Sequence, residues 1–266
     1  MGARVRGAGA LLTAALLVGA AAGCTASART PDRAEPSTAA PSTAQPSPTD
    51  RSPHGVMLSA QLVLHDARRA GYTAVLGGQG AKGELFWAPK TVLKYQADGE
   101  SQVLMVLDTS AYLGGDPGSA VRLGGPHWQK FSNGRIPYGD LIDRLSPVVA
   151  VAAAAAAADP QLVGEEKLLD GTAEHYRVTL TSAQYVAAQT QLDQTRRQAL
   201  TAALGTGDVV LDLWLDDSDQ LVRLRRAAAE VDTVDYGEFG SSALSVQAPA
   251  EADVAPGTGA SPPAFP

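Results

Sequence analysis

From Met57 onward the chain changes its hydrophobic period several times. Leu58, Leu62 and Leu64 with Ala67 recur at helical spacing over Met57–Ala70, and Gly71 is expected to end that helix. Short strand-like segments follow at Gly83–Trp87, Thr91–Ala97, Ser101–Leu107 and His127–Phe131, separated by Pro, Gly and Asp-Gly signals. Asp98-Gly99 is the clearest hairpin turn. Val103–Leu107 is apolar at odd and even positions alike, as expected of a strand covered on both faces. Pro137–Ala158 reads as helix broken at Ser146-Pro147, where Ser caps and Pro suits a first turn, and Asp159-Pro160 stops it.

Farther on, Thr172–Thr181 alternates Tyr176, Val178 and Leu180 with His175, Arg177 and Thr179, the pattern of a half-buried strand. Ser182–Leu204 reads as a polar, Gln-rich helix. Val209–Leu215 and Leu221–Arg226 flank a polar turn, and Thr233–Val246 supplies the last strands. Helix, meander, helices, strand, helix, meander is an α+β order with segregated layers, not a repeated βαβ unit.

The two ends of the chain follow other rules. Arg4 and Arg6 precede an uncharged run, Gly7–Ala22, too short for a stable membrane span and ending in small residues. Ala21-Ala22-Gly23-Cys24 resembles the bacterial lipobox, with Ala21 where Leu or Val is usual. The resemblance implies residues 1–23 as a lipoprotein signal peptide and Cys24, the only cysteine, as the lipidated first residue of the mature chain. Two acyl chains suffice for stable anchoring at about 0.8 kcal/mol per buried methylene. The expected location is the extracytoplasmic face of the cell membrane.

Residues 24–54 continue in Pro, Ser, Thr and Ala, and Thr25–His54 holds no Leu, Ile, Val or aromatic residue, so this stretch reads as a disordered tether. It spans roughly 30 Å as a coil and about 90 Å as polyproline II. Residues 255–266, with four prolines, read as a disordered tail, leaving 55–254 as the folded domain.

Twenty-one Lys and Arg against 28 Asp and Glu give a net charge of −7, which argues against a nucleic-acid partner. A single Cys removes disulfide frameworks and thiolate metal clusters. His54, His65, His127 and His175 accompany no nucleophile elbow, so no catalytic residue is assigned, and His175 reads as a surface or edge histidine. No metal motif and no cofactor motif is found; Asp216, Asp217 and Asp219 read as an acidic hairpin turn in preference to a calcium loop. Gly77–Gly83 fails the spacing of a phosphate loop and reads as a turn or bulge. Arg223, Arg225 and Arg226 read as a solvated sheet edge, with a headgroup contact as the alternative.

Three strings, Gly164–Leu180, Leu211–Leu224 and Val234–Pro249, together with Trp128 and the lipobox, resemble the actinobacterial LppX/LprA/LprF/LprG lipoproteins, distant structural relatives of the LolA and LolB carriers. The resemblance implies a curved antiparallel β-sheet, a half-barrel covered by helices, whose apolar hollow in some members takes lipid acyl chains. Phe86, Val103, Met105, Trp128, Tyr176, Val178, Leu180, Leu211, Leu213 and Leu215 are the candidate hollow-lining residues, chosen by alternation and apolarity. The alanine run Ala152–Ala158 leaves two outcomes open: small side chains enlarge a cavity, or they let a helix pack closely and erase it. A lipid or acyl-chain ligand is the expected partner besides the membrane. The competing expectation is an envelope interaction or sensing module with a filled core and a protein partner.

Overall fold

The computed structural model describes residues 50–132, 134–168 and 171–255. The expected signal peptide, Cys24, the tether up to residue 49 and the tail beyond residue 255 lie outside these residues.

Ser52 starts α1 (Pro53–Ala67): its Oγ accepts from the Gly55 amide at 3.1 Å, and Pro53 occupies the first helical turn. Val56, Met57, Ala60 and Leu64 form the buried face. The helix ends earlier than the sequence suggests. Arg68 takes a left-handed conformation at φ 63°, and the chain then extends as β1 (Arg69–Leu76), with Gly71 inside the strand. Ala70, Tyr72, Ala74 and Leu76 are the inward positions of β1, a strand of which the expected helix takes in only Arg69 and Ala70.

Gly77 and Gly78, both at positive φ, form the turn into β2 (Gln79–Phe86). The glycine-rich segment is therefore turn only at its start and strand from Gln79. The meander continues through β3 (Val92–Ala97), β4 (Val103–Leu107) and β5 (Ser110–Gly114). After α2 (Pro117–Leu123), capped by Asp116, comes β6 (Trp128–Ser132). The helices α3 (Gly139–Leu145) and α4 (Pro147–Ala156) meet at Ser146, as the Ser-Pro signal predicts.

Next come β7 (Gln161–Leu168), β8 (Gly171–Thr181), α5 (Ser182–Ala187), α6 (Gln194–Leu204), β9 (Asp208–Leu215), β10 (Leu221–Ala227) and β11 (Val231–Gly237). Residues 182–204 thus form two helices, because Asp193 caps a new start at Gln194. The last long strand stops at Gly237; residues 238–250 carry no strand, and β12 is the short pair Val254–Ala255.

All twelve strands join one open, curved sheet in the order β12-β6-β5-β4-β3-β2-β1-β11-β10-β9-β8-β7, antiparallel except β12 against β6. Register lays Tyr176, Leu213, Leu224, Val234, Ala74, Ala81 and Ala97 in one row across seven strands, all buried. Gly83 sits in the neighbouring row between Tyr72 and Tyr95. A Cβ there would lie 1.8 Å from the Lys94 carbonyl oxygen and 2.8 Å from the Tyr72 hydroxyl, so only glycine lets Tyr72 reach across and donate to Lys94 O at 3.0 Å.

Helix α4 explains how the inner face is covered. Val149, Ala150, Val151, Ala153, Ala154 and Ala155 are all buried, while Val148, Ala152 and Ala156, spaced one turn apart, form the one stripe that stays half-buried to exposed. It packs against α1, α5 and β10, and Gln189 Nε2 donates to Val149 O at 3.1 Å. Within the alanine run, Ala153, Ala154, Ala155 and Ala157 pack into the core, while Ala156 and Ala158 are exposed.

Candidate functional site

An apolar groove of about 510 Å³ opens between the C-terminal half of α1, the segment after β2 and the first turns of α4. Leu64, Trp87, Ala88, Pro89, Val148 and Val151 supply its apolar lining, and Gln61, His65 and Arg68 its polar rim. The Trp87 indole is fixed because its Nε1 donates to Leu64 O at 2.9 Å. None of the lining residues is a carboxylate. By contrast, a depression of about 480 Å³ on the opposite sheet face is lined by Lys82, Glu84, Lys94 and Asp235.

The ten candidate lining residues do not meet in one place. Tyr176, Val178, Leu180, Leu211, Leu213 and Leu215 belong to the inner core on β8 and β9. Phe86, Val103, Met105 and Trp128 fall on the outer face, since Glu84, Lys94, Met105, Tyr112 and Lys130 share one outward row and Trp128, Gly114 and Val103 the next but one. Apolar residues on both sides of Val103–Leu107 make the choice of face ambiguous from sequence. Met105 and Tyr112 are buried partners on the outer side, with Lys130 Nζ 5.7 Å from the Tyr112 ring. Of the ten, only Leu215 touches a described depression, and that one is polar.

Sequence reasoning misses the groove residues. Helical spacing groups Leu58 and Leu62 with Leu64, but they lie on the solvent side of α1, away from its buried face, at 46% and 70% exposure. Apolar positions running around more than one face of that helix are the available signal.

The outer face of β8–β10 carries a polar cluster. His175 is buried and interior to the sheet, not at an edge: its Nδ1 lies 2.8 Å from Glu166 Oε1 and its Nε2 3.0 Å from Asp212 Oδ1. Its ring stacks on Trp214 at 4.3 Å, and Trp214 Nε1 donates to Glu166 Oε2 at 2.8 Å. Arg177 Nε and Arg225 Nη1 donate to Asp212 at 2.7 and 3.1 Å. Burial pushes the Asp212 carboxyl up, but the Arg177, His175 and Arg225 hydrogen bonds outweigh it and hold it below the ordinary range.

The three arginines likewise lie on an internal strand. β10 runs between β9 and β11, where Arg223 pairs with Asp235 and the buried Arg226 with Asp232, which also accepts from Arg144. These partners come from the strands on either side, so β10 is internal and not a sheet edge, with Arg223 and Arg225 partly exposed on its outer side. Between α3 and α6, Asp143 pairs with Arg196; burial pushes its carboxyl up to about 6, opposed by that arginine. In the acidic turn Asp216 Oδ1 accepts from the Ser218 and Gln220 amides, while Asp219 accepts from Arg51 and Ser59 at the start of the domain. Among the described residues no group of three or more His, Cys, Asp or Glu is placed to hold a metal ion, and no helix is long and apolar enough to cross a membrane.

No protein-family model and no curated protein matches the chain. Solved structures of similar outline include LprF from Mycobacterium bovis, at 11% identity and a TM-score of 0.48, covering 74% of this chain and 96% of that one. The Mycobacterium tuberculosis lipoprotein LppX gives 12% identity, a TM-score of 0.48, and coverage of 72% and 97%. An uncharacterized conserved protein from Thermus thermophilus gives 9%, 0.35, and 75% and 95%. At these identities the site of this chain is read from its own residues.

Proposed function

We propose that this protein is a lipoprotein, anchored through Cys24 on the extracytoplasmic face of the membrane, that holds or transfers an amphipathic lipid by sheltering an acyl chain in the groove between α1 and α4. The groove itself carries the reading: about 510 Å³, apolar in its depth and polar at its rim, within the roughly 300–1,000 Å³ of small-molecule sites. Leu64, Trp87, Val148 and Val151 would contact the chain, and Arg68, His65 and Gln61 would face a headgroup. A sixteen-carbon chain gains on the order of 12 kcal/mol of gross burial before ordering costs, so no conspicuous polar motif is needed.

The filled inner face favours a second reading. α4 packs on α1, α5 and β10, and Tyr176, Val178, Leu180, Leu211, Leu213 and Leu215 are buried in the core and do not line the α1–α4 groove. A domain so filled suits an envelope interaction or sensing module. Native mass spectrometry of the mature chain from a lipid-containing host, with uptake of a fluorescent fatty acid, separates the two. The carrier reading expects bound lipid and uptake that falls at least tenfold in Gln61→Trp/Val148→Phe. A ligand-free chain with no uptake, recovered with a stoichiometric protein partner, would replace it with the second reading.

A further inference from the structure

We infer that the outward face of α1 is a membrane-docking surface, with Leu58 and Leu62 entering the lipid interface beside the mouth of the α1–α4 groove. The inference rests on the carrier reading and adds the surface on which loading would occur. A helix that buries Val56, Met57, Ala60 and Leu64 is expected to present polar residues on the other side. α1 instead presents two leucines one turn apart, 46% and 70% exposed, in line with Gln61 and His65 at the groove rim.

Charge distinguishes this face from the rest of an acidic chain. The depressions lined by Glu84 and Asp235, by Asp216 and Arg223, by Glu230 and Asp232, and by Glu165 and Glu174 each contain carboxylates. The α1–α4 groove has Arg68 and His65 and no carboxylate in its lining; Asp66, beside His65 at 3.2 Å, is the acid next to the rim. Arg68 and His65 are the cationic groups at the end of this apolar strip, with the exposed Asp66 beside them, and such a strip suits a bilayer interface. Trp87, half-buried at the same mouth, is the side chain type favoured at such an interface.

The tether enters at the right place. Arg51, held by Asp219 at 2.6 Å and Glu174 at 3.3 Å, and the Ser52 cap fix the chain at the start of α1. Asp50 lies 26 residues after Cys24, and a flexible coil of that length has a mean span of about 28 Å. α1 is about 22 Å long, so an anchor of that reach keeps the whole helix face within contact of the bilayer and raises its effective concentration there.

The test uses the mature chain from residue 24 with Cys24→Ser, so that no acyl group contributes, in flotation with phosphatidylcholine vesicles with and without about 30% phosphatidylglycerol, the anionic component the basic rim should favour. We expect binding that is stronger on anionic vesicles and falls at least fivefold in Leu58→Ser/Leu62→Ser, while Leu162→Ser/Val163→Ser, an equally exposed apolar pair on β7, changes it less than twofold. A dye on Leu62→Cys in the same background should shift to the blue on binding, while fatty-acid uptake in solution stays intact in Leu58→Ser/Leu62→Ser. No vesicle binding, or equal losses in both pairs, overturns the docking surface even where uptake persists. Concentration-dependent dimerisation abolished by Leu58→Ser/Leu62→Ser assigns the face to a second copy instead.

Discussion

The two faces of the sheet solve opposite problems with the same strands. On the inner side, Tyr176, Leu213, Leu224 and Val234 run into the alanines of β1, β2 and β3, and the buried α4 covers the hydrophobic core. On the outer side of β8–β10, Arg177, Asp212 and Arg225 form a cross-strand row, with His175 and Trp214 stacked beside it. The inner face gains stability from area removed from water and depends on shape. The outer face depends on each charge keeping its partner. The contrast separates a shape-dependent inner face from the surface groove between α1 and α4, where the proposed function places the ligand.

The largest expected effects break the inner side. Leu213→Ala should cost about 2–5 kcal/mol in urea unfolding, as for a fully buried leucine. Ala154→Leu tests filling directly: a fully buried Ala154 predicts a loss of about 1–3 kcal/mol from overpacking, whereas a vacant hollow would accept the side chain at no cost or with a gain.

Next come two acids whose pH dependence has opposite sign. Asp212 is held below the ordinary carboxylate range, so its contribution is full above about pH 4 and is lost as pH falls through its folded value. Asp143 is pushed up to about 6, so stability from this group rises as pH falls from above 6 towards 4. Thermal melts from about pH 3 to pH 8 should show the acid-side loss flattened in Asp212→Asn, which is also less stable than the parent near pH 7. The gain between pH 6 and pH 4 should be flattened in Asp143→Asn.

The smallest expected change is at the surface. Leu62→Ser should alter stability by no more than about 0.5 kcal/mol, a melt result that would set this exposed leucine apart from Leu64 one half-turn away.

Much of the fold is legible in the sequence because local chemistry agrees with it. Ser146-Pro147 breaks two helices, Asp98-Gly99 turns a hairpin, and Tyr176, Val178 and Leu180 alternate as a half-buried strand. What escapes has physical causes. Alanine at Ala70 is compatible with helix and strand alike, so the first two residues of β1 are read into the helix before it, and Tyr72–Leu76 are assigned to no element. Alternation separates the faces of a strand without saying which one a helix covers, so Phe86, Val103, Met105 and Trp128 fall in with residues on the other side. His175 and the arginines of β10 look like edge residues because their partners, Glu166, Asp212, Asp232 and Asp235, are supplied by neighbouring strands. The groove joins α1 to residues more than twenty positions later in β2's exit and to α4, a juxtaposition no local pattern encodes.

A diazirine-bearing palmitate, photolysed with the mature protein and mapped by peptide mass spectrometry, tests the central claim most directly. Sheltering of an acyl chain between α1 and α4 predicts adducts on the peptides carrying Leu64, Trp87, Val148 and Val151. Adducts confined to the strands carrying Leu211 and Leu213, or none above the level of a competing unlabelled lipid, would contradict it.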